Sequence, residues 1–132
     1  MKITIKTKGN NDILNITNKI NEIIEKSNKK EGIVHLFVIG STAGLTTIEY
    51  EPNLVKDFQD FLNELIPANK NYKHNKTWND NNGHSHIRAS LLKPDLTIPF
   101  ENSRLLIGEW QQIVLIDFDT RPREREIIIS IF

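Results

Sequence analysis

The chain has 132 residues, with 17 basic and 17 acidic side chains, 38% hydrophobic content and no cysteine. That length and apolar content suit one folded domain with one core. A formal charge of zero supplies no long-range field to gather a polyanion, so nucleic acid is not an expected partner. Without cysteine there are no disulfides, no thiolate nucleophile and no Cys-ligated zinc, and any metal would need His or carboxylate ligands.

Met1-Lys2-Ile3-Thr4-Ile5 opens with no basic segment, apolar run or cleavage-site pattern. No stretch approaches the roughly 20 apolar residues needed to cross a bilayer. The expectation is a cytoplasmic protein with no membrane partner.

Residues 1–7 alternate apolar and polar, with β-branched Ile and Thr, which predicts a half-buried strand. Turn and N-cap chemistry follows at Gly9 to Asp12. Ile13, Ile16, Ile20, Ile23 and Ile24 then recur at helical spacing, predicting an amphipathic helix that ends near residues 27–32. Residues 33–39 form an apolar run expected to be a strand covered on both faces, with His35 inside it as a hydrogen-bonded structural histidine. Gly40-Ser41-Thr42-Ala43-Gly44 interrupts the run, and residues 45–50 resume it, so the two runs read as a hairpin.

Pro52 marks a helix start, and Leu54, Val55, Phe58, Phe61, Leu62 and Leu65 form an apolar stripe that Pro67 ends. Residues 68–83 are rich in Asn, Lys and Asp and read as a long loop, a kind of segment that is commonly functional or mobile. Five β-prone stretches follow, at 87–92, 96–100, 105–107, 113–118 and 127–131. The fold class is therefore α+β, a single domain over residues 1–132. It combines a mixed, largely antiparallel, sandwich-like sheet with two main helices.

The segment His74-Asn-Lys-Thr-Trp78-Asn-Asp80-Asn-Asn-Gly83-His84-Ser-His86 carries three of the four histidines. On a strand, His84 and His86 would share a face, because the side-chain period is two; on a helix they would diverge by about 200°. With His74 delivered by the loop, the strand reading makes a three-imidazole face for a divalent metal, zinc before the alternatives. The opposing reading of these residues is three solvated loop histidines, since an HxH pair is a weak motif by itself.

Among the remaining residues, Ser41 and Thr42 with the N–H groups around Ala43 and Gly44 are candidates for holding an oxyanion, helped by Arg88. A tight turn built of small residues is the equal alternative. Trp110 reads as a packing residue, in the core or at a subunit contact. The Arg121 to Arg125 cluster, interleaved with Glu124, reads as a solvated turn or an intersubunit ion pair.

Several of these stretches together resemble the YjbQ-like family, also called the secondary thiamine-phosphate synthase family. The stretches are Gly40-Ser-Thr-Ala-Gly-Leu-Thr-Thr-Ile-Glu49, Glu51-Pro52 to Asp57, His74, and Asn82-Gly-His-Ser-His-Ile-Arg-Ala-Ser-Leu-Leu92. Leu96-Thr-Ile-Pro99, Arg104 to Gln111, and Asp117-Phe-Asp119 with Arg121-Pro-Arg123 complete them. The resemblance covers most of the chain. It implies a small α+β fold, a homotrimer with sites near subunit contacts, and a polar site of His74, His84, His86, Glu49 and Asp57, with Arg88 where the family commonly has lysine. It also implies activity on a small phosphorylated or anionic metabolite, with thiamine-phosphate synthesis as a secondary reaction. A non-catalytic trimer binding a small anion or metal is the alternative. Three departures mark this chain: Gly40 stands where the family motif begins with histidine, Glu109 falls within a common Gly-Thr-Trp-Gln motif, and Lys93 replaces a frequent glycine.

Overall fold

Alternation and continuity of apolar residues decide which strands face one layer and which face two. The computed structural model describes all of residues 1–132. Its strands are β1 (Lys2–Thr7), β2 (Asp12–Asn15), β3 (Glu31–Ile39), β4 (Ala43–Glu49), β5 (Asp95–Glu101), β6 (Arg104–Leu105), β7 (Gln111–Asp117) and β8 (Arg123–Ile131). The helices are α1 (Thr17–Lys26), α2 (Pro52–Leu65), α3 (Asn75–Trp78) and α4 (Gly83–Leu92).

The strands form two sheets, ordered β1-β8-β3-β5-β6 and β2-β7-β4, and every pairing is antiparallel. β3 and β8 alternate: Val34, Leu36, Val38, Ile127 and Ile129 are buried, while their neighbours are exposed or half-buried. β7 instead runs Ile113-Val114-Leu115-Ile116 fully buried, because it is covered twice. Ile113 and Leu115 join the main core with β3, β5, β8 and α1, whereas Val114 and Ile116 join a second cluster with Leu62 of α2 and Ala89 of α4. The layers are thus five-stranded sheet, three-stranded sheet, then α2 and α4.

Four expectations change. β3 is covered on one face rather than both, leaving Ile33, Phe37 and Ile39 exposed. Ile13 belongs to β2 rather than to the first helix, which starts at Thr17, where Asn15 Oδ1 accepts from the Thr17 N–H. β3 and β4 are not a hairpin: they lie in different sheets, so residues 40–42 are a crossover between layers. Residues 87–92 are helix, not strand; α4 is a third main helix, which packs against β4.

Arg88 fastens that helix. It is 2% exposed and donates to Ile66 O from Nε and Nη2 (3.1 and 2.6 Å), to Asn11 Oδ1 from Nη1 (2.7 Å) and to Asn63 Oδ1 from Nη2 (3.3 Å). One planar fork therefore ties α4 to the end of α2 and to the β1–β2 turn. Burial lowers its pKa, partly offset by Tyr72. Replacing Arg88 with Ala leaves two buried acceptors, Ile66 O and Asn11 Oδ1, unpaired and opens a cavity. Urea denaturation should show a loss of about 3 kcal/mol or more, and Arg88→Lys should restore less than half of it.

Candidate functional site

Because the β3–β4 connection crosses between sheets, its turn lies beside the end of β7 and the start of α4. The Phe118 N–H donates to Thr42 O (2.9 Å), and Ser85 Oγ donates to Phe118 O, so all three segments are tied through one residue. Gly83 is required where α4 enters, since a Cβ there would lie 2.6 Å from Tyr72 Cβ. The Gly83 N–H donates to Asn75 Oδ1 (3.0 Å), which docks α3 against the start of α4.

A cleft of about 370 Å³ opens at this junction, lined by Ser41 and Thr42, by His74 and His86, and by Asp119, Arg123 and Arg125 among others. The imidazoles of His74 and His86 meet edge to face, with centroids 4.5 Å apart. His74 Nε2 and Asn82 Oδ1 are buried and have no hydrogen-bond partner within the chain, and both residues line the cleft. A buried polar atom left unpaired costs about 1–3 kcal/mol, so these atoms mark positions where a further group would be accommodated.

His84 does not join the other two imidazoles. It is 3% exposed and lies beside Tyr72, with ring centroids 6.4 Å apart. The physical reason is the helix: at 100° per residue, two positions put His84 and His86 on nearly opposite sides of α4. No three His, Cys, Asp or Glu side chains come together in a way that would hold a metal ion. The three-imidazole face expected from the sequence is therefore not formed; only His74 and His86 remain in contact.

Other expected site residues are placed elsewhere. Glu49 is exposed at the end of β4 beside Trp110, in a separate depression with Glu51 and Gln112. Asp57 is exposed on α2, because the helix turns Val55, Phe58 and Leu62, not this carboxylate, toward the second core cluster. Arg88 is engaged by α2 and Asn11 and does not line the cleft. Trp110 is 67% exposed rather than core, whereas His35 is half-buried with Nδ1 3.0 Å from Thr97 Oγ1, as expected.

The arginines near the C-terminus had been expected in solvent or between subunits, but two form an ion-pair network inside the domain. Arg125 donates from Nε and Nη2 to the two Asp117 oxygens (2.8 and 2.7 Å) and from Nη2 to Thr42 Oγ1 (2.7 Å). Arg123 pairs with Asp119 (2.6 Å), and the Thr42 hydroxyl donates to Asp119 Oδ2 (3.3 Å). Burial pushes the Asp119 carboxyl up, but the Thr120 N–H, the Arg123 hydrogen bond and both guanidinium charges outweigh it and hold the group below its usual value. The parity of β8 was the available signal: Arg125 is in phase with the buried Ile127 and Ile129.

Two antiparallel sheets backed by helices, with a paired-imidazole and paired-arginine cleft at the crossover, define the class of protein. The chain belongs to the UPF0047, YjbQ-like family, whose description matches residues 1–132. A UPF0047 protein of Archaeoglobus fulgidus is 33% identical over 130 residues, 98% of each chain, and one from Methanocaldococcus jannaschii is 36% identical over 98% of this chain and 91% of its own. A crystal structure of a protein of unknown function from Sulfolobus solfataricus superposes with TM-score 0.93 at 32% identity, covering 99% of this chain and 94% of that one. An uncharacterized conserved protein of Clostridium acetobutylicum gives 0.91 at 31%, covering 100% and 99%.

Burial lowers the pKa of His84, as does the Arg88 charge, while Asp119 opposes the shift. A folded-state value below the ordinary 6.5 means that the unfolded chain binds the proton more readily. Stability should therefore be complete above about pH 6.5 and fall as the pH drops below it. Urea titrations from pH 7 to 5 should show this loss, and His84→Gln should reduce the slope by up to about 1.4 kcal/mol per pH unit. An unchanged slope would remove His84 as its source.

Proposed function

We propose that the cleft binds a small anionic metabolite and acts on it with the His74–His86 pair as its acid–base groups. The observation that carries this reading is the unpartnered, buried His74 Nε2 beside the His86 ring, in a wall shared with Asp119, Arg123 and Arg125. Imidazole is the commonest general acid or base, and the free His74 Nε2 is an atom that could exchange a proton with a bound metabolite. Secondary thiamine-phosphate synthesis, in which a ring nitrogen displaces pyrophosphate from a methylene carbon, is one reaction on such metabolites and belongs in the tested panel. A cytoplasmic location forms part of the reading; no helix is long and apolar enough to cross a membrane.

The second reading of the same orphaned nitrogen is a divalent metal, zinc first, held by His74 and His86 without His84 and in place of their acid–base role. Such an ion would polarise a carbonyl or phosphoryl oxygen. Protein purified without chelator should carry about one ion per chain, and His74→Ala should lose it by elemental analysis. Ion retained in a His74→Ala/His86→Ala variant would place the metal elsewhere. With phosphorylated and carboxylate metabolites as probes, His86→Asn should lower turnover by about 100-fold or more and leave the melting temperature nearly unchanged. Stoichiometric binding with no compound consumed would favour a non-catalytic role, and equal turnover by variant and wild type would remove His86 from the reaction.

Assembly as a homotrimer is part of this proposal. It is supported by the exposed apolar row Ile33, Phe37 and Ile39 on the outer side of β3, with Ile128 of β8 opposite Phe37. Light scattering should give a trimer mass for the wild type and a monomer mass for Phe37→Asp. A wild-type monomer at micromolar concentration would end the trimer proposal.

A further inference from the structure

Arg125 is 7% exposed, and three of its five donors are used, two on Asp117 and one on Thr42. The remaining nitrogen, Nη1, makes no hydrogen bond within the chain. It lies against Gly40, where a Cβ would come within 2.8 Å of it. Gly40 has φ +137°, a conformation other residues rarely adopt, and both residues line the cleft. A nearly buried guanidinium thus presents two free N–H bonds at a point that only glycine leaves open. Asn82 Oδ1 and His74 Nε2, on other walls of the same cleft, are further buried polar atoms without partners.

Charge narrows what those N–H bonds can receive. Asp117 already neutralises Arg125, Asp119 neutralises Arg123, and exposed Asp80 adds another negative charge to the lining. Directional donors are present, but there is no surplus of positive charge. A phosphate, carrying about −1.5 to −2 at neutral pH, would meet repulsion that the two arginines no longer offset. A carboxylate carries one negative charge, and one of its oxygens can accept from a single guanidinium nitrogen.

Building on the reading of this cleft as the functional site, we propose that it recognises a carboxylate group. The carboxylate oxygen accepts from Arg125 Nη1, and Gly40 is the specificity-determining residue that leaves this donor uncovered. The test is titration of the full chain, labelled with 15N in arginine and histidine, with glycolate and with inorganic phosphate at matched ionic strength. Glycolate should shift the Arg125 side-chain signal together with those of His74 and His86 and should saturate, with phosphate weaker by about tenfold or more. Gly40→Ala should weaken glycolate by at least a similar factor. If the φ of Gly40 prevents that variant from folding, the wild-type titrations decide alone.

Shifts at His74 and His86 with none at Arg125 would overturn the assignment of the donor and leave the cleft reading intact. Phosphate binding as tightly as glycolate would overturn the carboxylate class. Silence at all three residues would overturn the proposal and the cleft reading together.

Discussion

The buried pair between Asp117 and Arg125 is the interaction on which the rest of this structure depends. Asp117 ends the central strand of the small sheet, and Arg125 lies on the second strand of the large one. Removing both charges from water is costly, and attraction alone does not recover that cost unless every remaining lone pair and proton is engaged. Here the carboxylate accepts from Arg125 twice, from the Thr7 hydroxyl and from the Asp119 N–H, so four donors converge on two oxygens. Three of these segments, the ends of β1 and β7 and the start of β8, must be in place before the pair is satisfied. The pair thereby specifies how one sheet sits on the other.

The cleft follows from that constraint. The crossover at 40–42 passes beside the pair because Thr42 is the third ligand of the Arg125 guanidinium, and Phe118 holds its carbonyl. α4 is then brought in by Ser85 on the Phe118 carbonyl and by Arg88 on the end of α2. Its geometry divides the HxH motif, sending one imidazole indoors toward Tyr72 and the other toward solvent and His74.

Much of the fold was legible in the sequence where a period was long and clean. Residues 1–7, the stripe of α2 and the apolar runs of β3 and β7 are where periodicity put them. α4 was misread because Ile87 and the paired leucines suit a strand as well as a helix, and no clear apolar stripe arbitrates. What decides it is tertiary: Gly83 against Tyr72, Ser85 against Phe118, and Arg88 against Ile66. The exchange of sheets after Ile39 was hidden for a related reason, since consecutive strands usually pair and nothing local announces that Thr42 will be claimed by a residue 83 positions later. His74 and His86 stood out in the sequence because imidazole chemistry marks them, and the structure brings their rings together. Arg123 and Arg125 were placed in solvent or between subunits because a run of charges ordinarily lies in water, while Asp119 and Asn82 carry no local signal of burial.

The crossover also has a thermodynamic consequence. Residues 40–42 belong to neither sheet, and the Thr42 carbonyl keeps its place by accepting a single hydrogen bond from the Phe118 N–H. A guest lodged between Arg125 and the α4 imidazole would clasp strand to helix across that gap. By linkage, whatever favours the closed arrangement must retard its local opening in proportion to occupancy. The Phe118 amide is then a natural gauge of the cleft: its exchange with solvent deuterium would slow as the pocket fills.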